Sequence, residues 1–196
     1  PLFSDLDADI SDWLSDPETG EIVIGSSRRG KARHYYAAVE SRYQRLHRSL
    51  VRAYENQTLT IMSQSQNGKQ LILRASSDVD PGSIFVFDTE TKRADLFWAN
   101  RSWMDPKSMR PMQIDEVPTE DGFSIPVRLT LPEVEGPVPL VVNPHGGPHG
   151  ISDDWGFNYE TQLLASRGYA VLQINFRGSG GLGKNFEEAG HKGWGG

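Results

Sequence analysis

The stretch Pro139-Leu-Val-Val-Asn-Pro-His-Gly-Gly-Pro148 decides how this chain is read. A short apolar run stops at a His-Gly-Gly turn. Apolar runs of this length, bounded by turn formers, read as buried strands. The glycines that follow let a ligand come close to bare backbone. A second apolar run, Ala170-Val-Leu-Gln-Ile-Asn-Phe176, opens into Arg177-Gly-Ser-Gly-Gly-Leu-Gly183. Between the two, Tyr159 to Arg167 carries Leu163, Leu164 and Ala165, and Gly168 stands where a helix would end. Strand, helix, strand and a glycine-rich exit predict the start of an α/β sheet, with buried strands over 138–143 and 170–176.

Working outward, Met112-Gln-Ile-Asp-Glu-Val-Pro118 and Ser124-Ile-Pro-Val-Arg-Leu-Thr-Leu131 flank a Glu120-Asp-Gly122 turn and predict an antiparallel hairpin. Residues 99–112 read as a linker. Before it, Leu59–Met62, Gln70–Ala75, Ser83–Asp88 and Ala94–Trp98 alternate with turn formers. Short strands at such intervals predict one blade of a β-propeller. Ile22–Gly25, after the turn Asp16-Pro-Glu-Thr-Gly20, and Tyr35-Tyr36 predict strands of a neighbouring blade. The β pattern breaks at residues 37–54, where Val39, Tyr43, Leu46, Leu50 and Ala53 fall at helical spacing. Arg42, Arg45, Arg48 and Arg52 lie between them, so an amphipathic helix of about four turns with a solvated basic face is predicted. The predicted class is mixed. Propeller blades occupy 1–112, with the helix near 37–54 inserted, and the beginning of an α/β-hydrolase sheet occupies 113–196. About two blades cannot close a ring, so the propeller reading implies further sequence.

Composition narrows the function. A formal net charge of −6 lends no support to a nucleic-acid partner. No apolar run approaches the length of a membrane-spanning helix. The absence of Cys excludes disulfides, thiol chemistry and Cys-ligated zinc, and leaves the compartment open. With 20 Gly, 12 Pro and 37% hydrophobic residues, a turn-rich β region fits better than a helical bundle.

The loop His145-Gly-Gly-Pro-His-Gly150 directly follows a predicted strand. Acyl transfer passes through a tetrahedral oxyanion that needs preorganised N–H donors. In α/β-hydrolases one donor follows the nucleophile, and the other comes from an HGGG-type loop after the third strand. Gly146 and Gly147 fit that second role. The alternative is a plain Gly/Pro turn. His145 and His149 are four apart, a metal-ligand spacing on a helix, but Gly146, Gly147 and Pro148 forbid one, so no metal is expected. Gly178-Ser-Gly-Gly-Leu-Gly183 formally matches GxGxxG and, with Lys184, nearly a phosphate-binding loop. Asn185 stands where a magnesium-holding hydroxyl is needed, and a hairpin and a strand precede the unit. No nucleotide or other cofactor is therefore expected. The alternative is a structural loop that Arg177 organises by charge-assisted hydrogen bonds.

Asn143-Pro-His-Gly-Gly-Pro-His149, Leu164-Ala-Ser-Arg-Gly-Tyr-Ala170 and Asn175-Phe-Arg-Gly-Ser-Gly-Gly-Leu-Gly183 together resemble the prolyl oligopeptidase family, in particular its acylaminoacyl-peptidase-like branch. Glu120-Asp-Gly-Phe-Ser-Ile-Pro126 through Pro132 resembles the entry to that family's hydrolase domain, and Ser77 to Asp88 resembles a late propeller blade. The resemblance implies an N-terminal propeller, a C-terminal α/β-hydrolase domain and cleavage of short peptides by a Ser-Asp-His triad. It implies an oxyanion N–H from Gly147 beside Gly146, and organising roles for His145 and Arg177. No serine here stands in the family's GxSxGG context. The triad is therefore expected beyond Gly196, and this chain by itself is expected to be inactive. The expected partner of the whole enzyme is a short peptide, and unpaired sheet edges are expected to favour association. The rival readings are an esterase of the same fold and a propeller-type binding scaffold without catalysis.

Overall fold

The computed structural model describes residues 2–147 and 150–193. Three antiparallel strands come first: β1 (Asp12–Ser15), β2 (Ile22–Ser27) and β3 (Arg33–Tyr36) form one sheet in that order. The strand β1 was not legible, because Asp12-Trp-Leu-Ser15 is too short to show a period. Helix α1 (Arg42–Ala53) follows. It starts later than the hydrophobic spacing predicts and runs for 12 residues. Ser41 caps it: its hydroxyl accepts from the Gln44 N–H, and the Gln44 side chain reaches back to the Ser41 N–H. This reciprocal pair satisfies two first-turn donors and fixes the boundary. Val39 is left outside the helix, exposed. The basic face is solvated as expected, with Arg45 and Arg48 paired to Glu40.

A second sheet is an antiparallel meander of β4 (Thr58–Gln64), β5 (Gln70–Ser76), β6 (Ser83–Asp88) and β7 (Ala94–Ala99). Alternation along β5 puts Leu71, Leu73 and Ala75 on the buried face. There they pack with Leu59, Phe87 and Leu50 of α1. Helix and meander thus share one apolar core. The predicted linker contains a single 3-10 turn over Pro106–Ser108.

The third sheet is built from β8 (Met112–Pro118), β9 (Ser124–Thr130), β10 (Leu140–Val142) and β11 (Ala170–Ile174), in the order β10-β11-β9-β8. The predicted hairpin is β8–β9, and the crossover through α2 (Tyr159–Ala165) makes β10 and β11 parallel. A short helix α3 (Lys184–Glu188) ends the described part. Strand β11 is buried as expected, between β10 and β9. Strand β10 corrects the expectation. It is shorter than 138–143 and lies at the sheet edge, with Leu140 54% and Val142 53% exposed. Among the described residues it pairs with β11 alone, on one flank. Helix α2 forms where predicted, with Thr161, Gln162 and Ala165 as its buried residues and Leu163 exposed. The mixed class holds, with open antiparallel sheets ahead of a sheet containing the parallel pair.

Candidate oxyanion site

Strand β10 ends at Val142, and Asn143 keeps the ladder one residue further by donating to the Leu172 carbonyl at 2.8 Å. The chain then turns through Pro144 into His145, Gly146 and Gly147. Gly147 has φ +143°, a conformation that side-chain-bearing residues rarely adopt. Both glycines are exposed. Among the described residues neither of their N–H groups finds an acceptor. Unclaimed, solvent-facing donors at a strand end are what an oxyanion requires. Pro148 and His149 lie outside the described residues, so the metal spacing of His145 and His149 has no structural reading.

The loop after β11 faces this turn. His145 Nε2 lies 2.9 Å from the Ser179 hydroxyl, and the imidazole stacks on Phe176 with ring centroids 4.5 Å apart. Ser179 is fully buried and donates to the Phe176 carbonyl at 2.6 Å. Gly180 passes so close to Gly150 that a Cβ would meet its backbone at 2.7 Å, which explains a glycine there. The loop is anchored by its own N–H groups. Gly178 donates to Phe186, Ser179 to Phe176 and Gly180 to Ile151, all to backbone carbonyls, and Gly183 donates to the Asp9 carboxylate. A phosphate would need those same donors. Lys184 points instead to Glu188, across the surface.

Among the described residues Arg177 makes no hydrogen bond or ion pair to the His145 turn. Its guanidinium bonds Asp121 at 2.6 Å and Thr119 at 3.4 Å, and lies over the Phe123 ring. It ties the loop after β11 to the β8–β9 hairpin turn. The Thr119 hydroxyl and then Arg177 hold the Asp121 carboxyl below its ordinary range. The start of the loop thus touches the glycine turn through Phe176 and Ser179 and the hairpin through Arg177.

Sequence reasoning missed Asp153, Asn175 and Arg128. Asn175 is buried and holds the Asp153 backbone through two bonds, 2.7 and 3.0 Å. Burial pushes the Asp153 carboxyl up, opposed by the field of His145, by Gln173 and by Arg128. Asp154 is likewise raised by burial, against the pull of Arg28 and Arg128. The side chain of Arg128, on β9, is buried, and its charge acts on both carboxyls. A single Arg in an alternating strand looks solvent-facing, so no signal in the sequence marked it.

Residues 155–196 match the model of the prolyl oligopeptidase family. Over the whole chain, the sequence is 29% identical to dipeptidyl aminopeptidase BIII of Pseudoxanthomonas mexicana, covering 29% of that protein. Over 46% of the chain, it is 33% identical to the human acylamino-acid-releasing enzyme, covering 12% of it. The fold is similar to Pyrococcus horikoshii acylaminoacyl peptidase, with a TM-score of 0.60 at 18% identity, over 95% of this chain and 28% of that one. The chain thus spans less than a third of the length of these proteins. The resemblance read from the motifs stands, and so does its mixed fold.

Proposed function

We propose, from a chain that carries prolyl oligopeptidase family sequence at 155–196, that the whole protein is a serine peptidase acting on short peptides. Residues 1–112 belong to its propeller and 113–196 to its hydrolase domain in this reading. The reaction would be attack of a serine on the peptide carbonyl, an acyl-enzyme, and release by water. No Gly-x-Ser-x-Gly occurs in this sequence, so nucleophile, base and aspartate are assigned to other parts of the protein. This chain would supply the electrostatic half of the site. Gly146 and Gly147 would donate N–H groups to the oxyanion, with His145 and Arg177 bracing the loops around them.

The observation that carries the reading is the contrast between neighbouring loops. The N–H groups of Gly178, Ser179, Gly180 and Gly183 are given to protein acceptors, while those of Gly146 and Gly147 are not, among the described residues. Donors held ready for charge that appears only in the transition state raise turnover rather than binding.

Gly147→Val tests it in the whole enzyme. A β-branched residue cannot hold φ +143°, so the loop must move and the donor with it. We expect kcat and kcat/KM to fall together by about a hundredfold or more, with KM little changed. Lys184→Ala, on the exposed side of α3, should leave both constants close to wild type. A normally folded Gly147→Val enzyme with wild-type kcat would reduce the loop to a turn and remove the assignment.

A further inference from the structure

The chain leaving β2 and entering β3, Arg28-Arg-Gly-Lys-Ala-Arg33, places four cations in six residues. It lies against the third sheet. A Cβ on Gly30 would meet Ile114 of β8 at 3.2 Å, and the Arg29 carbonyl receives Arg128 of β9. A cavity of about 410 Å³ opens at this seam, large enough for a small organic molecule.

Arg128 lines the cavity and is 1% exposed. Of the five N–H donors of a guanidinium, it gives one to the Val127 carbonyl at 3.1 Å and one to the Arg29 carbonyl. Its Nε is buried and has no partner among the described residues. Asp154, Asp153 and Glu116 act on it only through space. Glu116 is engaged elsewhere, with Arg29 at 2.7 Å and the Ser124 hydroxyl at 2.6 Å. Lys31 also lines the cavity, its ammonium 4.7 Å from the Trp155 ring centre. Among the described residues neither Arg128 nor Lys31 forms an ion pair. A buried donor left unclaimed carries a desolvation cost that an arriving acceptor removes. The acceptors whose geometry fits a guanidinium are carboxylate and phosphate.

The rest of the wall separates these two. Arg29 is held by Glu116, and Arg33 stands 3.6 Å from Asp5. Asp7 and Asp115 also line the cavity, both exposed. They oppose a phosphate, which brings close to two negative charges. A molecule with one carboxylate and one ammonium meets both signs of the wall. We propose that this cavity binds a free amino acid, its carboxylate on Arg128 and Lys31 and its ammonium towards Asp7 and Asp115. The wall carries the ligand class. The origin of such a molecule, as a product of peptide hydrolysis, rests on the peptidase reading.

Glycine is the probe, because a peptidase cannot consume it. Saturation-transfer NMR on the whole protein, with glycine titrated at about pH 7, reads binding from the ligand's own signal. We expect saturation with a Kd on the order of millimolar, as suits so small a ligand. Acetate, which lacks the ammonium, should bind about tenfold more weakly, and glycinamide, which lacks the carboxylate, should not saturate. Lys31→Gln and Arg128→Lys should each weaken glycine about tenfold or more, and Lys184→Ala should leave it unchanged. Lys31 is exposed, so its variant decides the matter even where Arg128→Lys does not fold. Absence of a saturable glycine signal in the wild type overturns the proposal. So does glycine binding that survives Lys31→Gln or weakens equally in Lys184→Ala. Acetate or glycinamide binding as tightly as glycine, or inorganic phosphate displacing glycine at concentrations below its Kd, overturns the amino-acid assignment. Catalysis plays no part in these measurements. A glycine site in a protein without peptidase activity removes the peptidase reading alone, and an active peptidase without that site removes this inference alone.

Discussion

Arg128 is 1% exposed, on the central pair of the third sheet. Its guanidinium donates to the Val127 carbonyl and, by a short bond, to the Arg29 carbonyl, while Nε has no partner among the described residues. Burial pulls its proton affinity down, opposed by Asp154 and Asp153. An incompletely bonded buried cation adds little net stability, but removing it strands the carboxylates beside it. Arg128→Ala should therefore destabilise the chain by about 3 kcal/mol at neutral pH, read from urea unfolding. The pH dependence gives the prediction its edge. Asp153 and Asp154 have folded values raised by burial, so their contributions are present below the ordinary carboxylate range and lost as pH rises through the raised values. Without Arg128 both are raised further, and the loss in Arg128→Ala should shrink as pH falls towards about 4. A loss that is equal at both pH values would show that Arg128 acts by packing alone.

Helix α1 shows how far an element can be read from its sequence. Its existence and its basic face were legible, because Tyr43, Leu46 and Leu50 keep helical spacing and every intervening Arg is hydrated or paired at the surface. Its start was readable too, from Ser41 and Gln44 three apart, but the apolar Val39 outweighed the capping pair. The burial of Gln44 and His47 was not readable, since polar residues enter a core only where tertiary partners exist. Gln44 gives its amide hydrogens to the Val23 and Ala37 carbonyls, on the strand side. His47 meets the Tyr36 hydroxyl at 2.9 Å and the edge of His34 at 4.8 Å. The same limit hid the exposure of β10, because its apolar residues cannot reveal which neighbours are missing. The buried histidine has a consequence. Burial first, then His34, lowers His47 from 6.5 to about 4. His34 is lowered in the same direction, by burial and by Arg28. A depressed folded value means stability present above the unfolded value and lost as pH falls through the folded one. Stability should drop by on the order of 3 kcal/mol between about pH 6.5 and 4 through His47. Unfolding curves across that range measure it. His47→Gln, which keeps a partner for Tyr36, should flatten the profile, and an unchanged slope would move the acid sensitivity elsewhere.

At the scale of the whole molecule, a few polar side chains join the three sheets. Arg29, just past β2, pairs with Glu116 of β8 at 2.7 Å, and its carbonyl receives Arg128. Asp78, after β5, accepts the Met112 N–H at 2.7 Å as β8 begins. The centre of this second joint is Gln162 of α2. Its Nε2 donates to the Asp78 carbonyl at 3.1 Å and the Arg110 carbonyl at 2.7 Å, and its Oε1 accepts the Arg110 N–H at 2.8 Å. One buried amide thereby fastens the helix of the third sheet to the meander and to the segment between them. The proposed boundary near residue 112 runs through this joint, so it should respond to the joint's strength. Gln162→Ala leaves buried backbone groups of Asp78 and Arg110 unsatisfied, and should destabilise by about 3 kcal/mol. Its more telling effect is local. The segment from Arg101 to Arg110 offers tryptic sites and is held at its far end chiefly by these bonds. Trypsin under native conditions should therefore cut Gln162→Ala there roughly tenfold faster than wild type, because cleavage follows the population of the locally opened form. Cuts within β4 to β6 should stay slow, since the shared core with α1 does not involve Gln162. If the variant instead loses protection everywhere at once, the sheets unfold as one cooperative unit. The division near residue 112 would then be a feature of topology without a mechanical joint behind it.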